Sequence, residues 1–125
     1  MLTIGEVAER TGLAASALRY YEREGLIPRA SRRGGKRVWG EHVLDRLALI
    51  GVAKGAGFTV AEIQTLLSGF GRRTPPGKRW RKLALGKLDE LEARMAEVER
   101  MKRVLQAVTR CECPTLDDCS RAIRR

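Results

Sequence analysis

The chain has 125 residues, 43% of them apolar and 32% charged, which excludes a disordered chain and allows a small compact domain plus one long element. A formal net charge of +10 points to a polyanionic partner, nucleic acid ahead of a membrane surface. No apolar run approaches the ~20 residues of a bilayer span, and residues 1–6 lack the basic lead and apolar run of a secretion signal, so no membrane partner and a cytoplasmic location are expected.

In chain order, Ile4, Val7 and Ala8 recur at helical spacing, and Thr3 three residues before Glu6 forms a capping-box signature. Gly12 ends that helix. Residues 15–24 make a second short helix with Leu18 and Tyr21 on its inner face, closed by Gly25 and Pro28. Two short helices joined by a glycine-containing turn are a helix-turn-helix candidate. Within residues 29–40, Gly34-Gly35 lies between basic and β-favouring residues and predicts a small hairpin. Residues 42–53 predict a third helix that buries Val43, Leu44, Leu47 and Ile50, and residues 59–67 a fourth, with Thr59 as its cap. Gly69, Gly71, Pro75, Pro76 and Gly77 then read as a linker or hinge.

From residue 78 to about 109 there is no proline, and Leu88, Leu91, Met95, Val98, Met101, Leu105 and Val108 recur at intervals of three and four among charged residues. This is a heptad seam. A thirty-residue helix with so narrow a stripe needs a partner helix, and dimerisation is preferred over packing on its own domain.

All three cysteines fall between positions 111 and 119, and Pro114 stops the helix so that the chain can turn back. In a reducing compartment this clustering favours metal or redox chemistry over a structural disulfide. Thiolates on so short a loop can converge on one soft ion such as Cu(I), Zn(II), Cd(II) or Hg(II), or on an iron–sulfur cluster. Direct thiol oxidation is the third possibility.

The run Thr3-Ile4-Gly5-Glu6-Val7-Ala8 and the run Leu18-Arg19-Tyr20-Tyr21-Glu22-Arg23-Glu24-Gly25-Leu26-Ile27 closely resemble the MerR family of transcription regulators. Residues 33–39 fall where that family has its wing. The pattern continues through Leu44, Leu49 and Ile50, the Gly57-Phe58 turn and the long helix. The resemblance implies a helix-dominated chain: a winged helix-turn-helix DNA-binding domain (1–70), a hinge (71–77), a dimerisation helix (78–109) forming an antiparallel coiled coil, and a cysteine-containing effector loop and tail (110–125). It implies a homodimer on a pseudo-palindromic operator in double-stranded promoter DNA. Effector binding would distort the duplex and so help RNA polymerase indirectly. The second helix would enter the major groove with Ser16, Arg19 and Tyr20, while Arg33, Lys36 and Arg37 of the wing suit phosphates. Arg23 and Arg29 are read as either phosphate contacts or solvated charges. Glu22 is expected in an ion pair.

Cys111 and Cys119, with seven residues between them, have a spacing that resembles the family's copper-sensing members, in which two cysteines hold the ion. Residues 78–83 and the cysteine loop resemble the SoxR branch, whose [2Fe–2S] cluster is held by C-x₂-C-x-C-x₅-C. Here Cys111, Cys113 and Cys119 match the last three cysteines, and Val108 stands at the first. Divalent-metal sensors of the family carry a further cysteine near the start of the dimerisation helix, and residues 74–82 contain none. Trp80 is read either as packing against the N-terminal domain or as lying on a partner's cysteine loop.

An enzyme is not expected: there is one histidine, no Ser/His/Asp set, no P-loop and no dinucleotide fingerprint. Nor do residues 111–125 suffice to enclose an organic ligand in a pocket of ~300 Å³.

Overall fold

The computed structural model describes residues 1–68 and 73–125. The chain divides into two compact units, Met1–Lys87 and Leu88–Arg125.

The first unit opens with β1 (Leu2–Thr3), which runs directly into α1 (Ile4–Thr11). The Thr3 side chain accepts from the Glu6 N–H at 3.2 Å, and Glu6 Oε1 accepts from the Thr3 N–H at 3.1 Å, completing the predicted capping box. The Thr3 N–H, and then the Thr3 side chain, hold the Glu6 carboxyl below its ordinary range. Gly12, at φ 75°, supplies the left-handed residue that ends α1. After a short turn comes α2 (Ala15–Arg23), which buries Leu18 and Tyr21. Strands β2 (Ser31–Arg33) and β3 (Lys36–Trp39) form the expected hairpin. Arg33 faces Lys36 across the two-residue turn Gly34-Gly35, and both glycines have positive φ, as a tight turn of this hand requires.

β1 was not legible in the sequence. It pairs antiparallel with β3, Leu2 opposite Trp39, giving a three-stranded sheet in the order β1-β3-β2. Trp39 is buried and donates its indole N–H to the Pro28 carbonyl at 2.8 Å. Val38 is buried as well, so this strand anchors the wing to the core.

Helices α3 (His42–Gly55) and α4 (Val60–Ser68) close the unit. Val43, Leu47 and Ile50 of α3 and Ile63 of α4 join Val7, Leu18, Tyr21, Leu26 and Trp39 in one core. Leu44, placed inside by periodicity, is only partly buried against it. α5 (Pro76–Val108) begins in this unit. Its Trp80 packs edge-on against Phe58 at 5.9 Å between ring centroids, the packing alternative for that residue. Lys87 is buried, 2.9 Å from Glu62, with its ammonium over the Phe58 ring. Arg79 donates to the Leu66 and Leu67 carbonyls at the end of α4 and to that of Thr74. It therefore satisfies acceptors that a helix terminus leaves without intrahelical partners. The expected hinge falls partly on residues 69–72, outside the described residues, as does residue 70, the expected end of the DNA-binding domain.

In the second unit, residues 88–108 continue α5 as an exposed helix. Leu88, Leu91, Met95, Val98, Met101, Leu105 and Val108 of the predicted seam are all exposed in the single chain. The 110–125 segment, read as loop and tail, contains a further helix, α6 (Leu116–Arg124). Thr115 caps it, accepting from the Asp118 N–H at 3.1 Å. Asp117 and Asp118 lie in its first turn and Arg121 and Arg124 in its last, the charge order that the helix dipole favours. No helix among the described residues is long and apolar enough to cross a membrane.

Candidate nucleic-acid interface and cysteine centre

Two places concentrate side chains that the core does not need. The first is on the outer face of α2. Ser16, Arg19, Glu22 and Arg23 of α2 line a concave patch with Arg29 and with Arg37 of β3. Four arginines around one depression offer donors of the kind that suits phosphate oxygens. Arg19, Ser16 and Tyr20 are exposed, as expected for a helix that meets a partner. Arg23 stands over the Tyr20 ring at 5.6 Å, so the two side chains brace each other. α2 starts at Ala14 without a side-chain cap, which leaves its first N–H groups suited to an anion.

Glu22 is the expected ion-pair partner. One carboxylate oxygen lies 3.3 Å from Arg37 Nε, and the other accepts from the Ala30 N–H at 2.7 Å. It thereby ties the hairpin to α2 and shares Arg37 between the protein and any phosphate. Arg33 and Lys36 are exposed at the hairpin turn, and Arg32 donates to the Gly35 carbonyl at 2.9 Å. Arg23 and Arg29, which the sequence left open, line the same depression as Arg19.

The second place is the end of α5. Cys111, Cys113 and Cys119 bring their sulfurs within 4.8 Å of one another, with Cys111 and Cys119 Sγ 3.4 Å apart. The Cys111 N–H donates to the Val108 carbonyl at 3.0 Å, and the Cys119 N–H donates to the Thr115 carbonyl at 3.2 Å. The end of one helix and the first turns of another thus present two thiols, with Cys113 between them. Among the described residues no histidine or carboxylate joins this cluster. The nearby Asp118 carboxylate is engaged by the Thr115 hydroxyl at 2.8 Å and by Arg121 at 3.0 Å.

The thiols are not equivalent. The Cys113 backbone N–H, then the Cys113 and Cys119 side chains, hold Cys111 below the ordinary thiol range. The same contacts with Cys111 and Cys119 push Cys113 up to about 12. The donor set is all sulfur, and Cys113 must lose its proton for all three thiolates to bind. Soft cations match such a set.

Residues 2–69 match the MerR HTH family of regulatory proteins, and residues 44–108 match the MerR DNA-binding family. A SoxR homologue described as an HTH-type transcriptional activator, from Chromobacterium violaceum, is 33% identical over 94% of this chain and 80% of its own. The mercuric resistance operon regulatory protein of Bacillus cereus is 31% identical over 91% of this chain and 93% of its own. Among solved structures, the lead(II) complex of the transcription regulator PbrR691 from Ralstonia metallidurans superposes with a TM-score of 0.79. It is 29% identical and covers 92% of this chain and 91% of its own. These relatives are regulators, and none is an enzyme. With its helix-turn-helix, wing and long exposed helix, the chain belongs to the MerR family of transcription regulators.

Proposed function

We propose that the chain binds a pseudo-palindromic promoter operator as a homodimer and activates transcription when a thiophilic metal ion binds Cys111, Cys113 and Cys119. The observation that carries this reading is the convergence of three sulfurs within 4.8 Å just beyond α5, the helix that bears the exposed seam. Ser16, Arg19 and Tyr20 would meet the major groove, with Arg33, Lys36 and Arg37 on flanking phosphates. The α2 patch adds Arg23 and Arg29 to the phosphate contacts. Residues 88–108 supply the dimer contact, residues 1–70 would form the DNA-binding domain and 110–125 the effector segment, and the protein works in the cytoplasm, where thiols stay reduced. RNA polymerase is reached through the shape of the promoter. Related regulators of mercury resistance and a lead-bound homologue support a soft-ion effector.

The ion can switch the protein only by binding the activating conformer more tightly than the repressing one. Cys111→Ser and Cys119→Ser proteins are therefore expected to bind the operator and fail to activate transcription in vitro when a soft ion is added. Normal induction of either variant would overturn the proposal.

The SoxR homologue at 33% identity favours a second reading, an iron–sulfur redox sensor. A cluster normally takes four protein ligands, and the first of the four cysteine positions here is Val108.

A further inference from the structure

We propose that the cysteine triad takes trivalent arsenic, presented as arsenite, in a pyramidal three-thiolate site contained within one chain. This rests on the reading of the triad as a thiophilic-ion centre and names the ion class.

Geometry separates the candidate ions. For a metal–sulfur bond of ~2.3 Å, a linear two-coordinate ion separates its sulfurs by ~4.6 Å, a planar three-coordinate ion by ~4.0 Å and a tetrahedral ion by ~3.8 Å. A pyramidal ion with angles near ~95° brings them to ~3.4 Å at the same bond length. The Cys111 and Cys119 thiols stand 3.4 Å apart, so this pair would need least movement to bridge a pyramidal ion. The third sulfur joins the same cluster.

The origin of the ligands points the same way. All three come from nine consecutive residues, 111–119, so they cap an ion from one side. In the single chain Cys111 is exposed, while Cys113 and Cys119 are half-buried, so one chain covers the cluster only in part. An ion with a lone pair on the uncovered side needs no fourth ligand. The donor set, with no nitrogen or oxygen among the described residues, suits a strongly thiophilic centre.

The binding step balances without an oxidant. Three arsenic–hydroxide bonds break and three arsenic–sulfur bonds form. Each thiol proton leaves with a hydroxide as water, so three waters are released. Arsenic stays trivalent and no sulfur is oxidised.

The test uses the reduced full-length protein under anaerobic conditions, titrated with sodium arsenite and separately with Hg(II). Intact-mass spectrometry and near-ultraviolet absorption of the arsenic–sulfur bonds are the readouts. The expected product carries one arsenic per chain with the loss of three hydrogens. Cys113→Ser is expected to lower arsenite affinity at least about tenfold, a loss of ~1.4 kcal/mol. Unchanged thermal melting would show that the variant folds. Arsenite bound equally well by Cys113→Ser would overturn the three-thiolate site. Uptake of Hg(II) without arsenite would overturn the arsenic assignment and leave the thiophilic-ion reading standing. Uptake of neither would overturn both.

Discussion

Glu22 places two oxygens on two different jobs, one on Arg37 and one on the Ala30 N–H. In the proposed interface an acidic residue on α2 costs attraction to DNA, and its two contacts fasten the hairpin to that helix. Glu22→Gln is expected to speed amide hydrogen exchange at Ser31–Arg33 and leave the core helices protected; unchanged exchange there would remove Glu22 from that role. Arg19 lines the same patch and under the proposed function meets the DNA. Arg19→Ala is expected to weaken operator binding at least about tenfold, with or without ion, as loss of a base or phosphate contact would. Equal affinity in a mobility-shift titration would contradict the assignment of α2 as the recognition helix. At this scale the sequence showed which residues are charged, and periodicity separated Tyr21, which is buried, from Tyr20, which is exposed. It could not decide for Arg23 and Arg29, because membership of the depression depends on where Arg29 and Arg37 lie relative to α2.

At the scale of elements, α1 and α4 were readable because Thr3 and Thr59 each sit three residues before a glutamate at a capping position, while α2 and α3, which have no side-chain cap, were readable from their buried stripes. β1 was not, since two residues hold no period and their pairing with β3 is non-local. α6 carried Thr115 and Asp118 at capping spacing, but a nine-residue helix is marginal by itself, and its apolar Leu116 and Ile123 are exposed. The α4 cap has a pH signature. The Thr59 N–H, Lys87 and the Thr59 hydroxyl hold Glu62 below its ordinary carboxyl value of 4.5. A carboxylate depressed in the folded state stabilises above its unfolded pKa and loses that contribution as pH falls through its folded value. Melting temperatures of wild type and Glu62→Gln should therefore differ most near neutral pH and converge as pH falls below about 4. A constant difference down to strong acid would show that the cap and the Lys87 contact contribute nothing through charge. In the core, Leu18→Ala, at a fully buried position, is expected to cost about 2–5 kcal/mol of unfolding free energy in denaturant titration.

For the whole molecule, the seam of α5 is a long run of apolar side chains that the single chain leaves exposed among the described residues. Met95 is 68% exposed and Val98 52%, values suited to a partner helix and not to a solvated face. Met95→Glu combined with Val98→Glu is expected to give a monomer in sedimentation and to lose operator binding, because each half-site alone is weak. A dimer of unchanged affinity would place the contact elsewhere. The heptad was legible because its period needs no tertiary knowledge. The spatial meeting of the three cysteines was only suggested by their spacing, since it depends on the turn between α5 and α6.

The most direct test of the central claim is elemental analysis and an absorption spectrum on one anaerobically purified sample, followed by titration with a thiophilic ion. The account predicts a colourless protein that takes up one such ion per chain and fails to hold it after Cys119→Ser. Iron and sulfide in the protein, with visible absorption that disappears on reduction, would contradict it and make the chain a cluster-based redox sensor.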